Sequence, residues 1–340
     1  MNGMDVVEFH PEPDQFAWTF GGAAPTHHIK PGTALRLWTE DAYSGCLQSA
    51  EEVTSEVIDP TRLNPQTGPF YVEGAEPGDT LALHLVDLTP ARSWGVSSTI
   101  PFFGGLTSTD RTKLLNDALP EVTWIYEVDR ARGTVGFEAA RKLDGAALSV
   151  ELPLAPMLGT VGVAPVNREV RSSLVPDAFG GNMDTPEMRA GTTCFLGVNV
   201  EGALFSVGDG HFRQGEGESC GTAVEGAMDV TLLVELIKGI PTPWPRLEND
   251  DEWMVVGSAR PLEDAWRISN VEMVDWLAEL YGLDRLDAYQ LLSQTSHCPI
   301  ANVCDPNFSV LTKVPKSLLP AASAYDGLHR ELRERAAPLG

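Results

Sequence analysis

Basic residues are scarce in this chain. Lys and Arg number 24 against 48 Asp and Glu, a formal charge of −24. Nucleic acid and anionic membrane surfaces are polyanions that such a surface repels, so neither is expected as a partner. Cysteine is also thin. The five residues Cys46, Cys194, Cys220, Cys298 and Cys304 make an odd count with no C-x-x-C pair. That argues against a disulfide framework and for reduced thiols in a cytoplasm. No apolar run approaches the ~20 residues of a membrane span. The opening MNGMDVVEFHPEPDQF has neither the basic segment nor the apolar core of a signal peptide. G-x-S-x-G, H-E-x-x-H and Walker patterns are missing, and the nearest Rossmann-like spacing lacks a strand–helix context. A nucleophile elbow, a zincin helix and a dinucleotide site are therefore not expected. There is no fixed-period repeat and no low-complexity tract.

Turn formers, in contrast, are plentiful, with 32 Gly and 25 Pro among 340 residues. Between them lie short alternating runs, which read as half-buried strands. Leu35, Leu37 and Thr39 form one, and Leu81, Leu83 and Leu85 another. Trp124, Tyr126 and Val128 follow, then Leu148, Val150 and Leu152. Cys194, Leu196, Val198 and Val200 alternate, then Ala203, Phe205 and Val207, and these two runs read as a hairpin about Gly202. Val230 to Leu236 and residues 253–258 complete the set. The Pro- and Gly-rich residues 153–165 read as a close-packed bend or wall. Helices become plain only late. Ser269 and Glu272 have capping-box spacing ahead of an apolar stripe ending at Gly282, and Asp284 caps a second helix through Leu292. The fold class expected is mainly β, or α+β. A β-rich domain spans residues 1–265, with a smaller helical or α+β part, 266–340, packed on it.

Residues 208–225, GDGHFRQGEGESCGTAVE, concentrate potential ligands and proton carriers among five glycines. Asp209 and His211 lie two apart, so a continuing strand sends both from one face. Glu216 and Glu218 repeat that spacing. The functional reading is a catalytic or metal-binding bend; the alternative is a glycine-rich turn with solvated acids. Asp41 falls at a strand end, suited either to a site on the sheet rim or to an Asx-turn. His84 points opposite its neighbouring leucines. Asn182 and Asp184 form a second polar knot flanked by glycine, either lining a pocket or holding a tight turn. Cys220 is a candidate nucleophile, but its neighbours are acids that oppose a thiolate. One imidazole with carboxylates suits zinc with an open position. Mixed Asp, Glu and Asn oxygens suit calcium, and the residues leave both open.

Several blocks resemble the acetamidase/formamidase family, the metal-dependent one rather than the nitrilase-like amidases. They are Asp41-Ala42-Tyr43-Ser44-Gly45, NPQTGPFYVEGAEPGDTLALHL from Asn64, GGNMD from Gly180, GALFSVGDGHFRQGEGESCGTAVE from Gly202 and YGLDRLDAYQLLS from Tyr281. The chain departs from the family at Gly215-Glu216-Gly217-Glu218, where GDGE is usual, and at His297, near which an acid is common. The resemblance implies a β-sandwich core and hydrolysis of a small carboxamide to a carboxylate and ammonia. It further implies a divalent metal, zinc foremost, on Asp209 and His211 with Asp41, His84 and Asp184. Asn182 would donate to the oxyanion, and Glu218 or Glu216 would carry the proton. The expected partner is a small amide, and the expected state a homo-oligomer. A thiol amidase using Cys220 and a binding protein without chemistry are the alternatives.

Overall fold

Leu81, Leu83 and Leu85 point one way from their strand while Ala82 and His84 point the other, and that division orders the whole chain. In the computed structural model, which describes residues 4–107, 117–141, 145 and 147–339, strands assemble into two large sheets. The nine-stranded sheet runs Val6–Phe9, Ala34–Thr39, Met228–Ile237, Thr80–Pro90, Thr193–Gly197, Arg246–Glu248, Glu252–Ala259, Phe308–Pro315, Ile300–Asn302. At the centre of the ten-stranded sheet, Phe205–Arg213 lies between Met157–Gly162 on one edge and Gln66–Val72 and Val224–Glu225 on the other. Inner faces of both sheets share one core. Leu35, Leu83 and Leu232 meet Phe70, Leu158, Val161, Phe205 and Val207 there. Each such side chain contributes about 1.5–3 kcal/mol on burial, so the alternation read in the sequence drives the face-to-face packing of a β-sandwich.

Thr193–Gly197 and Phe205–Arg213 do not form the expected hairpin. They belong to different sheets. Gly202, Ala203 and Leu204 all have positive φ, and this tight turn carries the chain from one sheet to the other. Residues 153–165 hold a close-packed wall rather than a bend: Met157–Gly162 is a fully buried strand. The first long helix starts at Leu262, not near Ser269, which is buried inside it and bonds Thr312. Glu272 is held by Arg246 rather than capping a helix end. Helices Leu262–Tyr281 and Arg285–Thr295 cover the outer face of the nine-stranded sheet through Met273, Trp276, Leu277 and Leu292. Leu328–Ala336 covers that face further along, over Ala34, Ala82 and Phe195. The chain beyond residue 265 thus does more than pack on the sandwich, since Phe308–Pro315 pairs along its length with Glu252–Ala259. Among the described residues no helix is long and apolar enough to cross a membrane.

Candidate functional site

Strand Phe205–Arg213 brings the first two candidate residues, Asp209 and His211. Val207 and Phe212 both face the core, although an unbroken alternation would send them to opposite sides. Asp209 has φ 60°, a left-handed conformation that resets the alternation and turns Asp209 and His211 together. Nε2 of His211 lies 3.3 Å from Asp209 Oδ1 and 3.1 Å from Glu225 Oε2. Glu225 arrives on the adjacent strand Val224–Glu225, directly opposite His211. Glu218 enters from the turn between them. Glycine at 217 and a left-handed Glu218 itself fold that side chain inward, while Glu216 stays exposed.

Two further acids come from distant segments. Asp184 follows the short strand Gly180–Asn182, and Asp305 follows Ile300–Asn302. Asn182 ties them together, its Nδ2 donating to Asp184 Oδ2 at 3.0 Å and to Asp305 Oδ2 at 2.9 Å. Its Oδ1 accepts from Asn64 Nδ2 at 2.6 Å and from Thr160. Both amide hydrogens of Asn182 are therefore committed, so it orients carboxylates and is not the free oxyanion donor expected from the sequence. Beneath the cluster lies Gly159, where a Cβ would stand 2.4 Å from both Asp184 Oδ1 and Asp209 Oδ2. Only glycine leaves space for the two carboxylates to converge.

Five carboxylates and one imidazole are thus buried together. Burial pushes Asp184 and Glu218 well above the ordinary carboxylate range, reinforced by neighbouring acids. Burial also raises Glu225, and carries Asp305 up to about 7. Asp209 differs: burial pushes it up, but the attraction and hydrogen bond of His211 prevail and hold it low. For His211, burial opposes the charge, yet Glu225 and Asp209 outweigh it and lift the imidazole well above its usual value. Excess buried negative charge of this kind calls for bound protons or a bound cation.

The donor set fits a divalent metal. Asp184 Oδ1 is buried without a hydrogen-bond partner among the described residues, and Glu225 Oε2 has the His211 imidazole beside it. Ligand atoms of Asp184, His211 and Glu218, and of Asp209, His211 and Glu225, form two overlapping groups, each within 4.8 Å. Gln214 prepares the imidazole. Its Nε2 donates to the Asp184 carbonyl at 2.6 Å and the Ala301 carbonyl at 3.1 Å, which leaves Oε1 as an acceptor 2.9 Å from His211 Nδ1. Nδ1 therefore donates to Gln214 and Nε2 faces the carboxylates; with an ion bound the ring would be neutral and Nε2 would offer it a lone pair. We expect Gln214→Leu to weaken zinc binding by about 10–100-fold. Gln214→Glu, which keeps an acceptor for Nδ1, should lose less. Competition titration against a chromophoric chelator measures both; equal affinities for wild type and Gln214→Leu would remove Gln214 from the site.

Not every sequence candidate comes to the cluster. Asp41 is buried, but its Oδ1 accepts from the amides of Tyr43 and Gly45 and its Oδ2 pairs with Arg92 at 2.8 Å. It is the Asx-turn of the two readings, and it positions Tyr43, whose hydroxyl bonds Ser98. His84 is on the outer face of the nine-stranded sheet. Thr193 Oγ1 lies 2.9 Å from its Nδ1 and 2.8 Å from His329 Nδ1. Burial, with His329 alongside, lowers His84 to about 4. Neither residue reaches the ligand atoms around His211. Cys220 is exposed, its thiol donating to the Thr222 carbonyl at 3.1 Å. His297 is exposed as well, paired through its backbone with Lys313. The sequence reading missed Glu225, Asp305, Gln214, Asn64 and Gly159 as parts of the site. Cys304 was missed too: it is buried with its thiol 3.5 Å from Glu218 Oε2, and burial and the surrounding acids push it far up.

A cavity of about 170 Å³ opens over the cluster. Its lining includes Asp209, His211, Glu218, Glu225 and Asp305 together with Tyr43, Thr222, Leu63, Ile100, Phe103 and Leu174.

Known proteins share this architecture. The acetamidase of Yersinia enterocolitica, in a crystal structure, superposes with a TM-score of 0.86 at 38% identity, over 93% of each chain. In sequence, the acetamidase of Mycolicibacterium smegmatis is 29% identical over 259 residues, 62% of this chain and 63% of that protein. The formamidase of Methylophilus methylotrophus is 27% identical over 62% of this chain and 61% of its own length. The matched region thus spans a little over three-fifths of the length of these curated relatives. A profile of the acetamidase/formamidase family matches residues 22–173 and 166–249, which hold the two-sheet core, Asp184, Asp209, His211, Glu218 and Glu225. With most of its length matched and the fold shared end to end, this chain belongs to the acetamidase/formamidase family.

Proposed function

We propose that the protein is a metal-dependent amidohydrolase that cleaves a small carboxamide to a carboxylate and ammonia. The observation that carries this reading is the buried group of carboxylates around His211 Nε2, facing a small cavity, in a chain of this family. Asp209, His211, Glu225 and Asp184 would hold the ion, their carboxylate oxygens and the Nε2 lone pair serving as ligands. Imidazole and carboxylate donors favour zinc or another first-row ion; an oxygen-only calcium site fits less well with nitrogen in the set. The metal, when bound, supplies Lewis acidity to water and to the amide carbonyl. Glu218 accepts the proton of the attacking water and returns it to the leaving nitrogen, so the C–N bond breaks as ammonia departs. Burial raises its carboxyl, which favours its holding the proton taken from water until the nitrogen leaves. Glu216, exposed to solvent, has no part in this scheme. Asn182 fixes Asp184 and Asp305 in place. The five unpaired cysteines are in keeping with a cytoplasmic enzyme, and a homo-oligomer remains the assembly we propose.

The test is metal analysis of the purified protein alongside ammonia release across an amide panel, before and after chelation. Stoichiometric metal, and turnover that a chelator abolishes and metal restores, are expected. Turnover unaffected by metal removal would overturn the metal reading. Cys220→Ser separates the thiol alternative. With no imidazole bonded to the Cys220 thiol and its proton given to a backbone carbonyl, the variant should keep activity within about twofold, as surface changes away from a site do. A variant with full metal and no activity would restore the thiol mechanism.

A further inference from the structure

Resting on the amide-hydrolase reading, we propose that Tyr43 is a catalytic residue of that reaction. Its hydroxyl donates to the amide carbonyl oxygen and stabilises the negative charge that develops there, and Thr54, outside the cavity, aligns that hydroxyl through Ser98. Attack on an amide carbon places charge on its oxygen, and a donor already fixed at that point lowers the barrier. The amide hydrogens of Asn182 go to Asp184 and Asp305. Asn64 Nδ2 is committed to Asn182 Oδ1 at 2.6 Å and Thr160 Oγ1 at 3.0 Å. Thr222 Oγ1 donates to the Ser98 carbonyl at 3.1 Å and accepts from the Ser98 amide at 3.2 Å. Tyr43 lines the same cavity, with Glu225 nearby, and its hydrogen is not committed in this way.

A line of three buried hydroxyls directs it. Tyr43 Oη lies 2.8 Å from Ser98 Oγ, and Ser98 Oγ lies 3.0 Å from Thr54 Oγ1. Among the described residues Thr54 Oγ1 has no other partner, so its one hydrogen goes to Ser98. Ser98 then gives its own hydrogen to Tyr43, which leaves the Tyr43 hydrogen for an acceptor in the cavity. The reverse order would strand the Thr54 hydrogen where it is buried. Burial, reinforced by Glu225, pushes the Tyr43 hydroxyl well above its usual value, so it keeps its proton and acts as a donor. The residue is also held in place. Its amide donates to Asp41 Oδ1 at 2.9 Å, and its side chain packs with Leu47 and Val96.

The experiment is steady-state kinetics on the metal-loaded wild type, Tyr43→Phe, Thr54→Val and the double variant, with formamide, acetamide and propionamide. Metal content and thermal denaturation are measured on each preparation. Tyr43→Phe removes one oxygen and should lower kcat and kcat/KM together by about 10²-fold, with metal content unchanged and KM within about twofold. Thr54→Val should lower kcat by about 2–10-fold. In the Tyr43→Phe background it should cost nothing further, because it acts only through that hydroxyl. A purely structural role would lower the denaturation midpoint and leave the kcat of folded protein as it was. Tyr43→Phe activity within about twofold of wild type overturns the proposal and leaves the hydrolase reading intact. So does a Tyr43→Phe loss that follows lost metal or lies in KM alone, or a Thr54→Val effect that is the same with and without the Tyr43 hydroxyl. Should Tyr43→Phe fail to fold, an unchanged kcat in Thr54→Val overturns the proposal. No turnover of any amide by the wild type overturns the hydrolase reading, and this proposal with it.

Discussion

His211→Ala should empty the site. The imidazole is the one nitrogen donor among the grouped ligand atoms, common to both overlapping sets. Its loss leaves Asp184, Asp209, Glu218, Glu225 and Asp305 buried with no cationic neighbour in the cluster. Asp209, held low by His211, then regains the raised carboxyl that its burial dictates. We expect metal content to fall below a tenth of the wild-type value and ammonia release by at least about 10³-fold. That is the scale seen when a group stabilising developing charge is removed. The fold should persist, because the polar partners of the His211 ring are Asp209, Gln214 and Glu225, all within the cluster itself. Elemental analysis, steady-state kinetics and circular dichroism on one preparation decide the matter. Full metal occupancy in a folded His211→Ala protein would mean that the ion sits elsewhere.

The second large effect is expected from one methyl group. In Gly159→Ala the new Cβ falls 2.4 Å from Asp184 Oδ1 and Asp209 Oδ2 and 2.9 Å from His211 Cε1. Carbon and oxygen atoms do not approach so closely, and the strand is buried between two partners, so the carboxylates must move apart. Overpacking of this kind costs about 1–3 kcal/mol in stability. Displacing catalytic groups by ~1 Å costs about 10²-fold in rate. We therefore expect a folded protein with a lowered denaturation midpoint, weakened metal binding and at least a hundredfold loss of turnover. Gly215→Ala is the control. It lies in the same glycine-rich segment as Glu218 but meets nothing within 4 Å, and its activity should be unchanged. Equal activity of both variants would show that the space above Gly159 is not part of the site.

Much of the architecture follows from local pattern. The leucines of Thr80–Pro90 and Ala34–Thr39 alternate because one face of each strand supplies large side chains to the core between the sheets and the other does not, and such alternation is legible wherever it persists. Met157–Gly162 was illegible for the same reason: it is buried on both faces, so nothing alternates. Its Gly159, which resembles a turn residue, leaves room for the carboxylates of Asp184 and Asp209. The helix starting at Leu262 was read too late because Ser269 and Glu272, spaced like a cap, instead bond to Thr312 and Arg246 across the interior.

The site divides in the same way. Asp209 and His211 were recognisable together because they are two residues apart on one strand, a relation the backbone alone enforces. His84 and Asp41 looked equally suitable. Only the packed structure shows His84 under the helix Leu328–Ala336, facing away from the cluster, and Asp41 consumed by its own turn. Glu216 and Glu218 differ in sequence by nothing but position, and the left-handed backbone at 217 and 218 sends one inward and leaves the other in water. Asp305 meets Asn182 across 123 residues of chain, and Asn64 meets it across 118. The sequence by itself thus determined the strands, the glycine-rich segment and the Asp209–His211 pair, since each depends on neighbours along the chain. The tertiary structure alone decided which acids are desolvated together around one imidazole, because burial and mutual charge depend on distances in space that no local spacing specifies.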